Sequence, residues 1–107
     1  MKHLKTYEGE FLDNLDKKSA EYEGYAGKSI IFDYKGNLFL GKFLRIILNG
    51  YFAKLEHYEW DYFYKGWVVN NIDSLHLKDF TIVKVFDTME EAKKEYKMIE
   101  DAELYNL

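Results

Sequence analysis

The chain has 107 residues, no cysteine, no proline, a net charge of −4 and an aromatic content of 19%. That length fits one domain with a modest core, and the missing cysteines exclude a disulfide framework or a thiolate metal site. The acidic balance argues against broad, non-specific nucleic-acid binding, whose affinity comes mostly from neutralised phosphates.

Charge is unevenly placed. Residues 1–27 carry four lysines against six acids, residues 28–87 eight basic against seven acidic, and residues 88–107 three lysines against six acids. The acidic total leaves room for a local basic patch on the middle segment. MKHLKTYEGEF at the start holds no apolar core of a signal peptide, and no run approaches the roughly 20 apolar residues of a membrane span. The expectation is a soluble protein of the cytoplasm.

Leu4, Tyr7, Phe11, Leu12 and Leu15 recur at helical spacing, which predicts an amphipathic helix over residues 4–16. Gly24 and Gly27 punctuate the connection that follows. SIIFDY, residues 29–34, reads as a first strand, Lys35-Gly36-Asn37 as a turn, and residues 37–48 as a long second strand. In regular alternation Leu38, Leu40, Leu44, Ile46 and Leu48 share one face of it, and Phe39, Phe43 and Ile47 the other. Apolar residues on both faces mark a central or bent strand, with Gly41 a candidate bend or bulge.

The chain is organised around Asn49-Gly50, flanked on both sides by aromatic and branched residues. Asn-Gly supplies the two positive φ angles of a type I′ turn, so the chain should fold back there. The predicted pairs are Leu48 with Tyr51, Ile46 with Ala53, and Leu44 with Leu55. Residues 51–60 form the returning strand and residues 62–69 a further one, with turn chemistry at 70–74. FTIVKVF, residues 80–86, is the last strand. Thr88 with Glu91 makes a capping box, and Met89, Ala92, Tyr96 and Ile99 are the apolar stripe of a helix over 88–104. The whole predicts one α+β domain over residues 1–107, with a β-rich core over 28–86. About five antiparallel strands would form a small, strongly curved sheet, an SH3-like partial barrel flanked by an N-terminal and a C-terminal helix.

Catalytic signatures are missing. No serine sits in a nucleophile elbow, and Gly27-Lys28-Ser29 lacks the remainder of a phosphate-binding loop. His57, Glu59 and Asp61 fall on one side of a strand, which suits a cation or acid–base work. The plainer alternative is a strand end leaving the core with solvated polar residues. Neither a catalytic residue, nor a metal set, nor a cofactor is expected.

The densest feature is aromatic. Tyr51, Phe52, Tyr58, Trp60, Tyr62, Phe63, Tyr64 and Trp67 put eight rings within 17 positions, and alternation turns some of them outward. Tyrosine and tryptophan join a large contact area to a polar tip, which suits binding hot spots. The expected partner-binding set is Tyr58, Trp60, Tyr62, Tyr64 and Trp67, rimmed by Glu56, Glu59 and Asp61. The alternative is that the two helices cover these rings. The acids of the last helix read as a solvated face paired with Lys93, Lys94 and Lys97.

Size and composition have the style of small phage or mobile-element proteins of low-GC bacteria. The leading expectation is a non-catalytic protein that binds a host partner, such as a defence nuclease or other nucleic-acid-processing factor, and inhibits it stoichiometrically. Pairing of two copies through the same rings, as a homodimer, is another use of such a surface. One alternative is a single-stranded nucleic-acid module with Lys42, Arg45, Lys54 and Lys65 on phosphates. Another is a metal-dependent enzyme centred on His57.

Overall fold

A computed structural model describes residues 14–105, the side chains of 14–103 among them. The first described residues, 14–23, are helical (α1). The predicted stripe residues Leu4, Tyr7, Phe11 and Leu12 lie outside the described residues. Within them the helix runs on to residue 23, beyond the expected end at 16. After it come β1 (Ser29–Tyr34), β2 (Asn37–Ile47), β3 (Phe52–Asp61), β4 (Gly66–His76), β5 (Phe80–Phe86) and α2 (Met89–Tyr105). The five strands form one sheet in the order β4-β3-β2-β1-β5, with every neighbouring pair antiparallel.

The sheet is bent by its own connections. Laid flat, five strands would hold β4 and β5 about 19 Å apart. Only Leu77, Lys78 and Asp79 join them, a reach of about 14 Å at most. Because β4 and β5 run parallel, the bridge joins His76, at the Ile47 end of β2, to Phe80, at its Asn37 end, so the sheet curls until these opposite corners meet, yet it does not close, and β4 and β5 remain edges. Backbone bonds stitch the short bridge in place: Leu77 N–H donates to Tyr51 O at 2.9 Å and Lys35 N–H to Asp79 O at 3.2 Å.

Curling gives the sheet an inner and an outer face. Inside lie Ile30, Phe32, Phe43, Ala53 and Leu55, joined by Leu77 and Phe80, and α1 covers them with Leu15 and Tyr22. Tyr22 meets Phe43 and Phe80 edge-on and its hydroxyl accepts from Ile82 N–H at 3.0 Å. From α1, Lys18 Nζ donates to Leu77 O at 2.7 Å. Burial holds that ammonium below its ordinary pKa, against the opposing pull of Asp79. On the outer face α2 lays Met89, Ala92, Tyr96 and Ile99 over Ile31 and Leu40. The two helices thus flank opposite faces, which is why β1 is buried on both sides.

Asn49 and Gly50 have φ of +61° and +89°, as a type I′ turn requires, and Ile46 pairs with Ala53 as predicted, but the ladder ends at Ile47 with Phe52, so Leu48 (φ +53°) and Tyr51, predicted as a pair, belong to the turn. The register then departs from expectation. Leu55 pairs with Phe43, because Leu44 is an extra residue bulged out between Phe43 and Arg45. One inserted residue exchanges the faces beyond it. Ile46 therefore joins Phe43 on the inner face, away from Leu38 and Leu40 on the outer one. Gly41 is regularly paired, with Ile30 and His57.

The fourth strand needs the larger correction. Residues 62–65 are turn and β4 begins at Gly66, so the expected turn at 70–74 is strand. Its polar run is absorbed by a bulge at Asn70, which the pairs His57 with Asn71 and Tyr58 with Val69 leave unmatched. An edge strand facing water on one side tolerates such residues.

At the start of α2, Thr88 Oγ1 accepts from Glu91 N–H at 3.3 Å and donates to the Glu91 carboxylate at 3.0 Å. The carboxylate takes the hydroxyl proton rather than the Thr88 amide, so the cap forms with one backbone bond. Thr88→Ala should cost about 1 kcal/mol, and Thr88→Ser far less. Thermal melts of the two variants check this, and equal melting temperatures for both would remove the cap from the account.

Candidate aromatic binding site

The site is built on the far end of the β3–β4 hairpin. Trp60 pairs with Trp67 and Asp61 with Gly66, leaving a four-residue turn, Tyr62-Phe63-Tyr64-Lys65. Asp61 shapes it. Its Oδ1 accepts from Phe63 N–H at 2.8 Å and Tyr64 N–H at 3.0 Å, and Lys65 closes the loop at φ +55°. Carboxylate capping of successive amides is what aspartate does at turn starts, so this residue has a structural task besides any rim role.

Outward display is the result. Tyr62, Phe63 and Tyr64 are exposed to 86, 90 and 76% of their surface. They have no neighbouring strand to pack on, since the tip extends beyond the ladder. Trp60 is 42% exposed, whereas Tyr58 and Trp67 are half-buried on the outer face. Trp67 packs edge-on against Trp60, with centroids 5.8 Å apart, and against Tyr96 of α2, at 5.5 Å. That packing anchors the hairpin to the helix.

The eight expected binding residues are therefore not coplanar. Glu56, Tyr58, Trp60 and Trp67 belong to the outer face. Glu59 and Asp61 point the other way, and Tyr62 and Tyr64 belong to the turn. Tyr58 Oη donates to Glu56 Oε2 at 3.5 Å. Burial, then the Glu56 charge, raises the Tyr58 phenol above its ordinary pKa. Burial also raises Tyr96, with Glu100 and Glu103 adding to it. That phenol donates to Leu38 O at 3.2 Å.

Three kinds of residue at the site lie outside the expected set. Phe63, the most exposed ring, stands in the turn between Tyr62 and Tyr64. Val69 and Ile72 on β4, exposed to 46 and 59%, extend the apolar surface along the edge. The third kind is a wall of lysines. A groove of about 440 Å³ runs between the hairpin and α2, lined by Trp60, Tyr62, Trp67, Lys93, Lys94, Lys97, Glu100 and Asp101. Residues 93, 94, 97, 100 and 101 form one helical stripe, a signal that was readable. What it faces was not. Lys42, Arg45, Lys54 and Lys65 do not line this groove.

His57 lies inside the curl. Its ring meets Phe39 edge-on at 5.1 Å, and Nδ1 is 3.7 Å from Asp73 Oδ2. Asp73 also accepts from Asn71 Nδ2. Glu59 and Asp61 are further along the strand, and among the described residues no group of three His, Asp or Glu side chains is placed to hold a metal ion. No described helix is long and apolar enough to cross a membrane.

Fold and site together define a small α+β domain that displays an aromatic hairpin. Comparison with protein-family models, curated proteins and solved structures finds no match to this chain.

Proposed function

We propose that this protein acts without catalysis, as a stoichiometric binder that presents the tip of the β3–β4 hairpin to another protein. The observation that carries the reading is three consecutive rings, Tyr62, Phe63 and Tyr64, each at least three-quarters exposed on a turn braced by Asp61. Apolar surface left in water is unfavourable, and contiguous patches of it mark interaction sites. Tyrosine and phenylalanine have two χ angles to immobilise, so docking them costs little side-chain entropy. The exposed β4 edge beside them adds unpaired backbone groups for a partner strand.

The partner suited to a protein of this size and composition is a host defence or nucleic-acid-processing protein in the cytoplasm, blocked by a phage or mobile-element inhibitor. A single-strand platform is less well supported. Arg45 and Lys54 sit opposite each other on β2 and β3, remote in sequence from the tip, while Glu56, Glu59 and Asp61 lie between.

The test uses capture from a bacterial host lysate with the wild type and with Phe63→Ser/Tyr64→Ser. Both positions are exposed, so the variant should keep its fold. The wild type is expected to retain a partner that co-elutes as a complex of fixed stoichiometry in size-exclusion chromatography with light scattering. Loss of two hot-spot rings should weaken that complex at least about 100-fold. Retention of the same proteins by both chains would overturn the reading. Light scattering of the protein alone reads self-association through the same rings.

A further inference from the structure

We propose that the groove between the β3–β4 hairpin and α2 binds a free nucleoside phosphate, the base against Trp60, Tyr62 and Trp67 and the phosphate on Lys93, Lys94 and Lys97. This goes beyond partner binding by the tip, since neither Phe63 nor Tyr64 lines the groove. The volume of about 440 Å³ lies within the roughly 300–1,000 Å³ of small-molecule sites.

The chemistry of the two walls differs, and the difference selects the ligand. The hairpin wall is three rings, a surface suited to a flat π system. The helix wall carries three ammonium groups, of which Lys94 and Lys97 are exposed and Lys93 half-buried. Among the described residues the lysines in ion pairs are Lys28, with Asp87, and Lys84, with Glu95. Among the described residues no carboxylate lies within salt-bridge distance of the three groove lysines. Three cations facing an apolar floor complement an anion joined to a ring.

Glu100 and Asp101, one turn beyond Lys97 on the same helical stripe, also line the groove. They accept hydrogen bonds from ribose hydroxyls or a base amino group. They also repel a second phosphate, as do Glu90 and Glu91 in the first turn of the helix. A strand, which must lay one phosphate per nucleotide along this surface, meets that repulsion repeatedly, whereas a single nucleotide does not. The site therefore takes the free nucleotide.

Both tryptophans of the chain line the groove, so their two indole N–H signals in a nitrogen-15 NMR spectrum report directly on it. The probes are AMP, GMP, CMP and UMP at low salt. At least one should shift both signals saturably, with Kd on the order of 100 µM for an open site of this size. The parent nucleoside should bind at least about tenfold more weakly, and added salt should weaken the nucleotide. Lys93→Glu/Lys97→Glu should raise Kd at least about tenfold, and Lys94→Gln, which disturbs the helix least, should raise it less. Phe63→Ser/Tyr64→Ser should leave it unchanged. No shift with any of the four nucleotides up to about 5 mM would overturn the proposal. So would tighter binding of a ten-residue oligonucleotide than of its mononucleotide, or equal binding by the lysine variants.

Discussion

Phe43→Ala is expected to destabilise the protein by about 3–5 kcal/mol, the usual cost of emptying a fully buried phenylalanine site. Phe43 is 0% exposed and fills the inside of the curl, its ring 6.4 Å from that of Tyr22. Its neighbours have little freedom to fill the space. Ala53 and Leu55 are fixed by the β2–β3 ladder. The Phe43 backbone is itself pinned, donating to Lys28 O at 2.9 Å and accepting from Gly27 N–H at 2.8 Å. A domain of this size has about 5–15 kcal/mol in total, so the loss removes a large share of it. Urea unfolding followed by tryptophan fluorescence checks the value, and a cost under about 1.5 kcal/mol would mean that the core is not packed as described.

Gly41→Val is expected to be nearly as damaging, about 3 kcal/mol, and Gly41→Ala about 2 kcal/mol. Strand propensity alone points the other way, since glycine weakens a strand, so the sign tests the geometry. A Cβ at this position would lie 2.6 Å from the Glu56 carbonyl oxygen and 3.0 Å from Phe32 Cε1. The first is backbone in the neighbouring strand and cannot swing aside. The second belongs to a core ring 2% exposed. Gly66→Ala is the matched control, because a Cβ there meets nothing within 4 Å and should be close to neutral. Melting curves of the three variants decide it, and a Gly41→Ala protein as stable as the Gly66→Ala control would sink the close-approach account.

Local signals decide the structure where one short-range force dominates. The Asn49-Gly50 turn, β1, β5 and the Thr88 cap depend on a few adjacent residues, and each lies where the spacing placed it. Expectation and structure part where two signals compete. The run Tyr62-Phe63-Tyr64 has high strand propensity, but Asp61 caps their amides and wins. Asn70-Asn71 has turn chemistry, but the ladder with β3 overrides it at the cost of one bulged residue. The bulge at Leu44 carries a weak signal, Arg45, which regular alternation would place on the face of Phe43 and Ile47 and which the extra residue turns outward.

The candidate site was half legible. An excess of rings after the hairpin bend said that some must face water, and Tyr62, Tyr64 and Trp60 do. It did not say which would be recruited inward, and Tyr58 and Trp67 were, by Leu40, Ala92 and Tyr96. Lysines of the last helix looked like partners for its own carboxylates. Only the packing of α2 on the outer face places Lys93, Lys94 and Lys97 in one groove with Trp60 and Trp67.

By itself, then, the amino-acid sequence determined the α+β class, the strand-rich middle, the central turn and the surplus of aromatic surface. These follow from period, turn chemistry and composition, all properties of neighbours along the chain. Tertiary structure alone decided the curl forced by the three-residue bridge of Leu77–Asp79, the placing of the helices on opposite faces, and the meeting of rings with lysines. Each of these joins residues tens of positions apart, and burial on folding, not local preference, selects them.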